Sequence, residues 1–352
     1  MNKYKEIIPI RNGQDFNRPR LTEYLKKRIA LPGNTELEVQ QFSAGMANYT
    51  YLIKFDNWKA VLRRPPNGPL PPKAHDMGRE YNFFEKVYKH FPLVPKPFLF
   101  CDDKSIIGVP FYIMEYKEGT VLDKKFPDDI KVTDELLKQI SNEVVNSLVN
   151  LHQLDYKKIG LESLGHPIGF LERQVFGWIK RHENSKTHSV PYYNEVKEWL
   201  TENIPNSTGV SIIHNDYKLN NIVLSPDLKE IRAILDWEMV TIGDPLFDLA
   251  NALAYWTQHD DSPLVKGSLF SITATPGFFT REEFIHQYSL GTKQEITNID
   301  FYLAAVYFKI TGAVQQMFYR YKIGQTNDER YSNLDIDVNN LMKFIYQQYV
   351  QK

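Results

Sequence analysis

Short apolar runs and helical stripes follow one another in the first third of the chain. Five runs rich in β-branched and aromatic residues, each bounded by a polar or Pro-rich turn, predict the strands of a small antiparallel sheet. These runs are residues 37–42, 49–55, 59–63, 98–101 and 109–116. Apolar residues recur at helical spacing in residues 16–29 and 75–89, which predicts a lead-in helix and one main helix.

A different pattern begins at Asp134. Leu137, Ile140, Val144 and Leu148 form a long apolar stripe of helical period, which is typical of a helix that packs inside a helical domain. The last hundred residues are also mostly helix-like, with aromatic-rich faces. The predicted fold class is therefore α+β, with a small antiparallel-sheet N-lobe over residues 1–117 and a larger, mostly helical C-lobe over residues 118–352.

Composition limits the binding partners and the cellular compartment that can be expected for this protein. The 352 residues carry 42 Lys and Arg against 43 Asp and Glu, a formal net charge of -1, which gives no broad electrostatic case for nucleic acid or an anionic membrane. Cys101 is the one cysteine, so an intramolecular disulfide is excluded and a reducing compartment fits best. No apolar run approaches the roughly 20 residues that span a bilayer. We therefore expect a cytoplasmic protein without nucleic-acid or membrane partners, and the sequence predicts no oligomeric state.

The residues that point to chemistry lie in the stretch SIIHNDYKLNNIVLSPDLKEIRAILDWEMVTIGDPLFDLANALAYW. Asp216 and Asn221 are five residues apart in a polar turn, and an apolar strand over residues 231–235 leads into Asp236. Phosphoryl transfer from ATP needs a carboxylate near the acceptor hydroxyl and oxygen ligands for Mg²⁺. The pattern HxDxxxxN, followed by a strand that ends in Asp, is that of the catalytic and metal-binding segments of kinase-like enzymes.

Five motifs in order extend this pattern over nearly the whole chain. They are QFSAGMANYTYLIK, AVLRRPPNGPLPPKAHDMGREY, IIGVPFYIMEYKEGTVL, HNDYKLNNIVL and ILDWEMVTIGDPLFDLA. With these motifs the chain resembles the aminoglycoside phosphotransferase and choline kinase superfamily, closest to the phosphotransferase domain associated with acyl-CoA dehydrogenases. The resemblance implies a two-lobed protein-kinase-like fold that uses ATP and Mg²⁺ to phosphorylate a small molecule with a hydroxyl group.

The resemblance also implies roles in the second lobe. Asp216 would be the catalytic base, or the group that orients the acceptor hydroxyl, and Asn221 and Asp236 would hold Mg²⁺. Lys218 would place a positive charge beside the transferred phosphate, although a solvated lysine is almost as good an interpretation. His214 is expected to fix the catalytic loop rather than to take part in the chemistry.

Two further aspartates have structural interpretations. Asp244, which precedes Pro245, fits a helix N-cap. Asp248 would brace the catalytic loop from that helix.

In the first lobe the implied nucleotide-binding groups begin with a turn. Ser43, Gly45 and Asn48 occupy the place of the phosphate-covering loop, and a plain hairpin turn would look the same. Arg63 stands where most kinase-like enzymes have the phosphate-contacting Lys; its planar fork keeps the charge but changes the geometry. Glu80 is the expected partner of Arg63, with an exposed salt bridge as the alternative.

The last run of the first lobe provides the predicted hinge. Glu115 and Tyr116 lie where kinase-like enzymes bind the adenine edge through backbone groups. We therefore expect this segment to contact the nucleotide base.

Alternative functions are weaker on specific grounds. Gly243 follows Asp236 too closely to leave room for the long activation loop of a protein kinase, and no APE motif follows. A catalytically inactive nucleotide-binding module stays open because Arg63 replaces the usual Lys. The histidines form no HExxH motif, and His182 and His188 are predicted to lie in a polar loop without a third ligand, so a zinc site is not expected.

The acceptor is predicted only by class. Members of the superfamily phosphorylate aminoglycosides, choline-like alcohols, sugars, homoserine-like amino acids and hydroxyacyl thioesters. Residues 257–352, the expected substrate-facing helices, carry nine Lys and Arg against ten Asp and Glu, so no acidic surface favours a polycation. We therefore rank a hydroxyacyl-type or other non-cationic alcohol above an aminoglycoside or a choline-like substrate.

Overall fold

Residues 7–32, 36–43, 48–67, 76–269 and 271–351 are described by the structure, which is a computed structural model. Their contacts divide the chain into two compact units. The first unit contains the described residues up to Val121, together with Lys157–Leu161 and Asn220–Glu238. The second unit contains Leu122–Tyr156, Glu162–Leu219 and the described residues from Met239 onward. The lobe limits 1–117 and 118–352 stay a prediction.

The strands are short and are distributed over both units. They are β1 (Ile7–Ile8), β2 (Glu38–Phe42), β3 (Tyr49–Phe55), β4 (Trp58–Arg64), β5 (Pro97–Cys101), β6 (Phe111–Glu115), β7 (Ser211–Ile213), β8 (Ile222–Leu224), β9 (Ile231–Ile234) and β10 (Thr241–Gly243). The first six form one antiparallel sheet in the order β1-β2-β3-β4-β6-β5. Two further pairs, β7 with β10 and β8 with β9, are also antiparallel.

The helices complete the described chain. They are α1 (Arg18–Lys26), α2 (Met77–Val87), α3 (Lys104–Ile107), α4 (Asp134–His152), α5 (Phe170–Asn184), α6 (Tyr193–Glu202), α7 (Pro245–Tyr255), α8 (Pro263–Ser268), α9 (Arg281–Thr292), α10 (Ile299–Lys322) and α11 (Leu334–Ile345). A π-helical turn, Tyr346–Val350, follows α11. No helix within the described ranges combines the length and the apolar character needed to cross a membrane.

The core of the first unit lies on one face of the sheet. Leu21 and Leu25 of α1 are fully buried there beside Tyr51, Leu62 and other sheet residues. The free thiol of Cys101 is buried in the same core, as expected of an apolar filler. Burial of these side chains is the main term that holds α1 against the sheet.

Helix α1 is shorter than the stripe over residues 16–29 that predicted it. The side chain of Asn17 accepts a hydrogen bond from the backbone N–H of Arg20, and a proline stands in the first turn. Phe16 therefore lies before the helix, where its ring meets Tyr51 edge-on at 5.2 Å. The apolar stripe correctly predicted that Leu21 and Leu25 are buried, and the N-cap Asn17 determines where the helix starts.

The second unit is built around α10, which packs against α5, α7 and α11, while α4 packs against α9. Within α5 the expectation for His182 was wrong. This residue lies in the last turn of the helix and is buried, stacked on Phe308 at 5.5 Å. Burial lowers the pKa of His182 to about 4, so the imidazole is neutral and acts as part of the core.

Candidate active site

The hairpin of β8 and β9 brings Asn221 and Asp236 to the same end of the first unit. Ile222 pairs with Ile234, and the Leu235 N–H donates to the Asn221 carbonyl at 2.8 Å. The two residues therefore stand at the same end of the hairpin, and their role as a metal-ligand pair stays a prediction. The hairpin is itself held to the segment after β6, because Thr120 and Leu224 exchange backbone hydrogen bonds of 2.7 and 2.8 Å.

A buried tryptophan fixes the turn that carries Asp236. The Trp237 indole N–H donates to the Ile234 carbonyl at 2.7 Å, and its ring packs on Phe83 of α2 at 5.0 Å. Asp236 itself has a φ of 68°, in the left-handed region that L-residues other than Asn and Asp rarely adopt. Backbone strain of this kind is typical of functional positions that the surrounding packing holds in place.

Three carboxylates surround Arg63 of β4. One guanidinium nitrogen lies 3.0 Å from Glu80, and another lies 3.1 Å from Asp236 and 2.9 Å from Glu238. Glu80 stands in the first turn of α2, which begins there because Asp76 caps the helix by accepting from the Arg79 N–H. The structure thus pairs Arg63 with Glu80, the partner expected from the sequence.

Burial and charge act in opposite directions in this Arg63 cluster. Burial alone would lower the pKa of Arg63, but the neighbouring charges of Glu80, Asp236 and Glu238 outweigh it and hold that pKa well above its usual value. Burial raises the pKa of Glu80, and the charge of Arg63 counteracts only part of this effect. Arg63 therefore stays charged. Because three carboxylates contact this one guanidinium, a further cation nearby would be favourable.

Among the described residues of the predicted phosphate-covering turn, Asn48 reaches this cluster. Asn48 is buried, and its side-chain amide donates to Glu238 at 3.1 Å. The Ser43 carbonyl instead accepts from the Arg11 guanidinium at 2.9 Å. Gly45 lies outside the described residues. The structure thus ties Asn48 to Arg63 through Glu238 and ties Ser43 to the start of the chain.

The predicted hinge lies at the end of β6. The Glu115 N–H donates to the Lys96 carbonyl at 2.8 Å, and the Lys96 N–H donates back to the Glu115 carboxylate at 3.1 Å. Tyr116 packs against a small apolar cluster centred on Val223 and Ala233 of the β8–β9 hairpin. The backbone of this segment is held on one side by hydrogen bonds and on the other by apolar contact.

In the second unit, Asp248 of α7 anchors the loop that carries Asp216. Its carboxylate accepts from the backbone N–H groups of His214 and Asn215, both at 2.7 Å. His152 of α4 is the third partner, with Nε2 at 3.2 Å from the same carboxylate. Burial would raise the pKa of Asp248, but His152 and these hydrogen bonds lower it below its usual value. Asp248 is therefore a carboxylate that braces the loop, as expected.

His214 and Asp244 also have the structural roles that were expected of them. The buried His214 accepts the Asp216 N–H at its Nδ1, at 3.2 Å, which fixes the start of the loop. Asp244 caps α7 by accepting from the Leu246 N–H at 2.9 Å, and it also accepts from the hydroxyls of Ser207 and Tyr302. Neither side chain is in a position that requires a chemical role.

Asp216 and Lys218 form an ion pair with 2.8 Å between Oδ2 and Nζ. The ammonium of Lys218 also lies 4.9 Å from the centre of the Tyr255 ring, within the range of a cation–π contact. Both side chains of the pair are partly exposed. The pair places Lys218 next to Asp216; the predicted charge beside the transferred phosphate and the alternative of a solvated lysine both stay predictions.

Sequence reasoning missed several groups that the structure places at these sites, among them His152, Glu238 and Lys309. The sequence analysis gave no role to Glu238, although this residue contacts Arg63. Lys309 of α10 is buried, and its ammonium donates to Asn215 and to Asn251. A signal for Lys309 was present, because it directly follows the apolar run over residues 301–308, where a charge is unexpected.

The donor set of the first unit fits Mg²⁺. Within the described ranges, no three His, Cys, Asp or Glu side chains group as a metal site. Asn221 and Asp236 supply hard oxygen atoms, and Mg²⁺ in phosphotransferases typically takes one or two protein ligands and completes its shell with phosphate oxygens and water. The pair therefore suits a metal that arrives with a nucleotide rather than one in a dedicated protein cage.

A sequence model described as the phosphotransferase enzyme family matches residues 38–276, which is more than half of the chain. The chain belongs to this family. Among curated relatives of this phosphotransferase, acyl-CoA dehydrogenase family member 11 of Gallus gallus is 32% identical over 329 residues, which are 91% of this chain and 42% of that protein. The chain thus spans less than half the length of the curated relatives it matches.

Solved structures agree with this assignment. One from Ralstonia eutropha, provisionally assigned as an aminoglycoside phosphotransferase, is 27% identical with a TM-score of 0.81 and covers 96% of this chain and 99% of that chain. Choline kinase from Cryptosporidium parvum is 16% identical with a TM-score of 0.58, covers 94% of this chain and 96% of that chain, and shows the fold alone. The α+β protein-kinase-like fold is confirmed, and the family supports a small-molecule phosphotransferase.

Proposed function

We propose that this phosphotransferase moves the γ-phosphoryl group of ATP to the hydroxyl group of a small molecule. The observation that carries the proposal is the placement of Asn221 and Asp236 at one end of the β8–β9 hairpin, with Arg63 on the Asp236 carboxylate. This combination supplies oxygen ligands for a divalent cation and a charged fork for phosphate oxygens.

The first unit provides the groups that bind the nucleotide. Asn221 and Asp236 would hold Mg²⁺, which neutralises charge on the β- and γ-phosphates when it is bound. Arg63 would contact phosphate oxygens while Glu80 keeps its guanidinium in place. The apolar cluster with Tyr116 would receive the adenine ring, and backbone groups near Glu115 would contact its edge. Ser43, Gly45 and Asn48 would cover the phosphates.

The second unit provides the group that acts on the acceptor. Asp216 would orient the acceptor hydroxyl and take its proton as that oxygen forms a bond to the γ-phosphorus. The bond between this phosphorus and the β–γ bridging oxygen breaks, and ADP leaves with the electron pair. Lys218, already 2.8 Å from Asp216, would stabilise the charge that spreads over the transferred phosphoryl oxygens.

The acceptor is proposed to be a hydroxyacyl-type or other non-cationic alcohol. Charge supports this ranking, because residues 257–352 carry nine basic against ten acidic side chains and so provide no surplus of carboxylates for a polycation. Aminoglycosides and choline-like alcohols are the alternative acceptors. The buried free thiol of Cys101 supports the predicted cytoplasmic compartment, where thiols stay reduced and ATP is available.

The test is turnover of ATP, with GTP as a second donor, against a panel of hydroxyl compounds that includes hydroxyacyl thioesters, choline and an aminoglycoside. We expect ADP release that depends on a non-cationic alcohol, and we expect Asp216→Asn to lower kcat by about 10²–10⁴-fold while ATP affinity changes little. Asp128→Asn, at an exposed aspartate of the second unit, is the matched control.

Two results would contradict the proposal in different ways. Preferred turnover of the aminoglycoside would overturn the acceptor ranking and leave phosphoryl transfer standing. If no acceptor gives a product, and ATP binds tightly to the wild type and to Asp216→Asn alike, the chain is a nucleotide-binding module without catalytic activity.

A further inference from the structure

Lys309 is a buried cation in the middle of an apolar helix. Its side chain lies in α10 between Phe308 and Ile310, both buried, and 6% of the residue is exposed. The ammonium donates to the Asn215 carbonyl at 2.5 Å, to the Asn215 side-chain oxygen at 3.0 Å and to the Asn251 side-chain oxygen at 2.8 Å. All three donor positions of the ammonium are thus used by neutral oxygens, and none is used by a carboxylate.

These contacts fix both chain neighbours of Asp216. Lys309 contacts Asn215 directly, and Asn251 links it to the other side, since its amide donates to the Tyr217 carbonyl at 3.4 Å. Asn215 has a φ of 67°, in the left-handed region, so its carbonyl and side chain are turned out of a regular path. The residue before Asp216 and the residue after it are therefore both tied to one buried ammonium.

Asp248 and Lys309 bind different backbone groups of the loop. Asp248 accepts the N–H groups of His214 and Asn215, and Lys309 binds the carbonyl side of Asn215. A carboxylate can satisfy only donors and an ammonium only acceptors, so both ions are needed to satisfy this turn. Without Lys309, the buried Asn215 carbonyl would lose the hydrogen bond that it accepts from the ammonium.

Burial of this ammonium is costly. Burial lowers the pKa of Lys309 to about 8, although the facing carboxylates of Asp216 and Asp248 favour its charge; Lys218 opposes it. The Phe247 ring lies 5.7 Å from the ammonium and adds a weaker cation–π contact. An apolar residue on α10 would avoid the desolvation cost, so packing alone does not account for a lysine here.

We propose that Lys309 is a positioning residue that holds Asn215, and through Asn251 also Tyr217, so that the Asp216 carboxylate points in one fixed direction. This inference rests on the proposed function insofar as Asp216 acts on the acceptor. Lys309 touches no reacting atom, and it acts through the backbone on either side of Asp216.

The experiment compares Lys309→Met, Lys309→Arg and, as the control, Lys322→Met. Lys322 is exposed on the last turn of the same helix, where its ammonium lies 5.7 Å from the Phe318 ring. The first readout is hydrogen exchange of the amides of residues 214–218, which needs no catalytic activity. We expect Lys309→Met to raise this exchange at least tenfold while the amides of β3 and β4 stay protected, and Lys322→Met to leave it unchanged.

The second readout is the separation of kcat from KM. Because a displacement of about 1 Å in a catalytic group costs on the order of 10²-fold in rate, Lys309→Met should lower kcat by that amount and leave the KM for ATP within about twofold. Lys309→Arg keeps the charge and should recover part of kcat. If Lys309→Met does not fold, Asn251→Ser, which removes one of the three acceptors of the Lys309 ammonium together with the link to Tyr217, should show the same two effects at a smaller size.

The outcomes separate this inference from the proposed function. A wild type that transfers no phosphate overturns the proposed function, and the exchange measurement then decides whether Lys309 holds the loop. Exchange and kcat in Lys309→Met, or in Asn251→Ser, that match the Lys322→Met control would overturn the role of Lys309. Equal loss of kcat in Lys309→Met and Lys309→Arg, with exchange unchanged, would also overturn it.

Discussion

Two buried cations, one in each unit, are held by opposite kinds of partner. Arg63 contacts the carboxylates of Glu80, Asp236 and Glu238. Lys309 contacts three neutral oxygens of Asn215 and Asn251. The Arg63 cluster has more negative than positive charge among its contacts, whereas the contacts of Lys309 are hydrogen bonds that place a backbone.

The partners of Arg63 also differ in how far their side chains are exposed to solvent. The Glu80 side chain is 3% exposed, while the side chains of Asp236 and Glu238 are 41% and 32% exposed. Arg63 therefore has one permanent partner and two partners that face solvent. A metal ion could compete with Arg63 for these two carboxylates, and phosphate oxygens could take their place on the guanidinium. The loop that carries Asp216 is bound by Asp248 through its N–H groups and by Lys309 through a carbonyl, and both of these residues are buried. We infer that the first region is built to exchange partners and the second to stay fixed.

Asp248→Asn should give the largest effect and is the strongest test of the fixed region. The neutral amide cannot replace a buried carboxylate that accepts two backbone N–H groups and contacts His152, so we expect a loss of about 4 kcal/mol in the free energy of unfolding. Urea unfolding of this variant and of the exposed Asp128→Asn control measures the loss. A loss below about 1 kcal/mol would show that the loop does not depend on this anchor.

The same carboxylate makes a pH prediction with a defined sign. The pKa of Asp248 in the folded protein lies below its usual value of 3.8, so the unfolded chain binds the proton more readily. The contribution to stability is complete above about pH 4 and is lost as the pH falls below that value. The stability difference between the wild type and Asp248→Asn should therefore shrink below pH 4.

Arg63→Met should have the second largest effect. It tests the contact between Arg63 and its buried partner Glu80. Removal of the guanidinium leaves the buried Glu80 without its ion pair, which should cost about 3 kcal/mol. Glu80→Gln added to Arg63→Met should recover much of this loss, because a neutral amide no longer needs the partner. Urea unfolding of the two single variants and the double variant gives the coupling energy. Additive losses would show that Glu80 is not the permanent partner of Arg63.

The contacts that could be predicted from the sequence are those that local patterns encode. The strands β2 and β3 were predicted because their apolar runs flank a short turn, and their pairing needs only neighbouring segments. The cap at Asp244 was predicted because an N-cap Asp followed by Pro is a local signal. The pairing of Arg63 with Glu80 came from the family resemblance and not from periodicity.

The missed contacts join residues that are far apart in the chain. Lys309 and Asn215 are 94 residues apart, and His152 and Asp248 are 96 apart. No periodicity relates such positions, because the tertiary packing of α4, α7 and α10 brings them together. A lysine after the apolar run over residues 301–308 was a hint of burial, but the sequence could not identify its acceptors.

Lys309→Met gives a smaller effect that depends on pH. The pKa of Lys309 is about 8 in the folded protein against 10.5 as the usual value, so between these values the unfolded chain binds more protons. The stability of the wild type relative to Lys309→Met should therefore rise by about 2 kcal/mol from pH 7.5 to 9.5. Urea unfolding of both proteins across this range measures the difference, in which other titrating groups cancel. A flat difference would mean that the ammonium keeps its ordinary pKa and that the second region carries no desolvation strain.

Glu238→Gln should give the smallest effect and tests whether the exposed partners of Arg63 are exchangeable. The Glu238 carboxylate lies 2.9 Å from the guanidinium, in a place where phosphate oxygens would compete for the same donor. Removing its charge should strengthen binding of Mg²⁺-ATP by about 3–5-fold, roughly 1 kcal/mol, and the gain should shrink at high salt because the pair faces solvent. Calorimetric titration of the variant and of Glu23→Gln, an exposed control on α1, measures the change. Weaker binding in Glu238→Gln would show that this carboxylate serves the metal instead, and the contrast between an exchangeable and a fixed region would then rest on Asp236 alone.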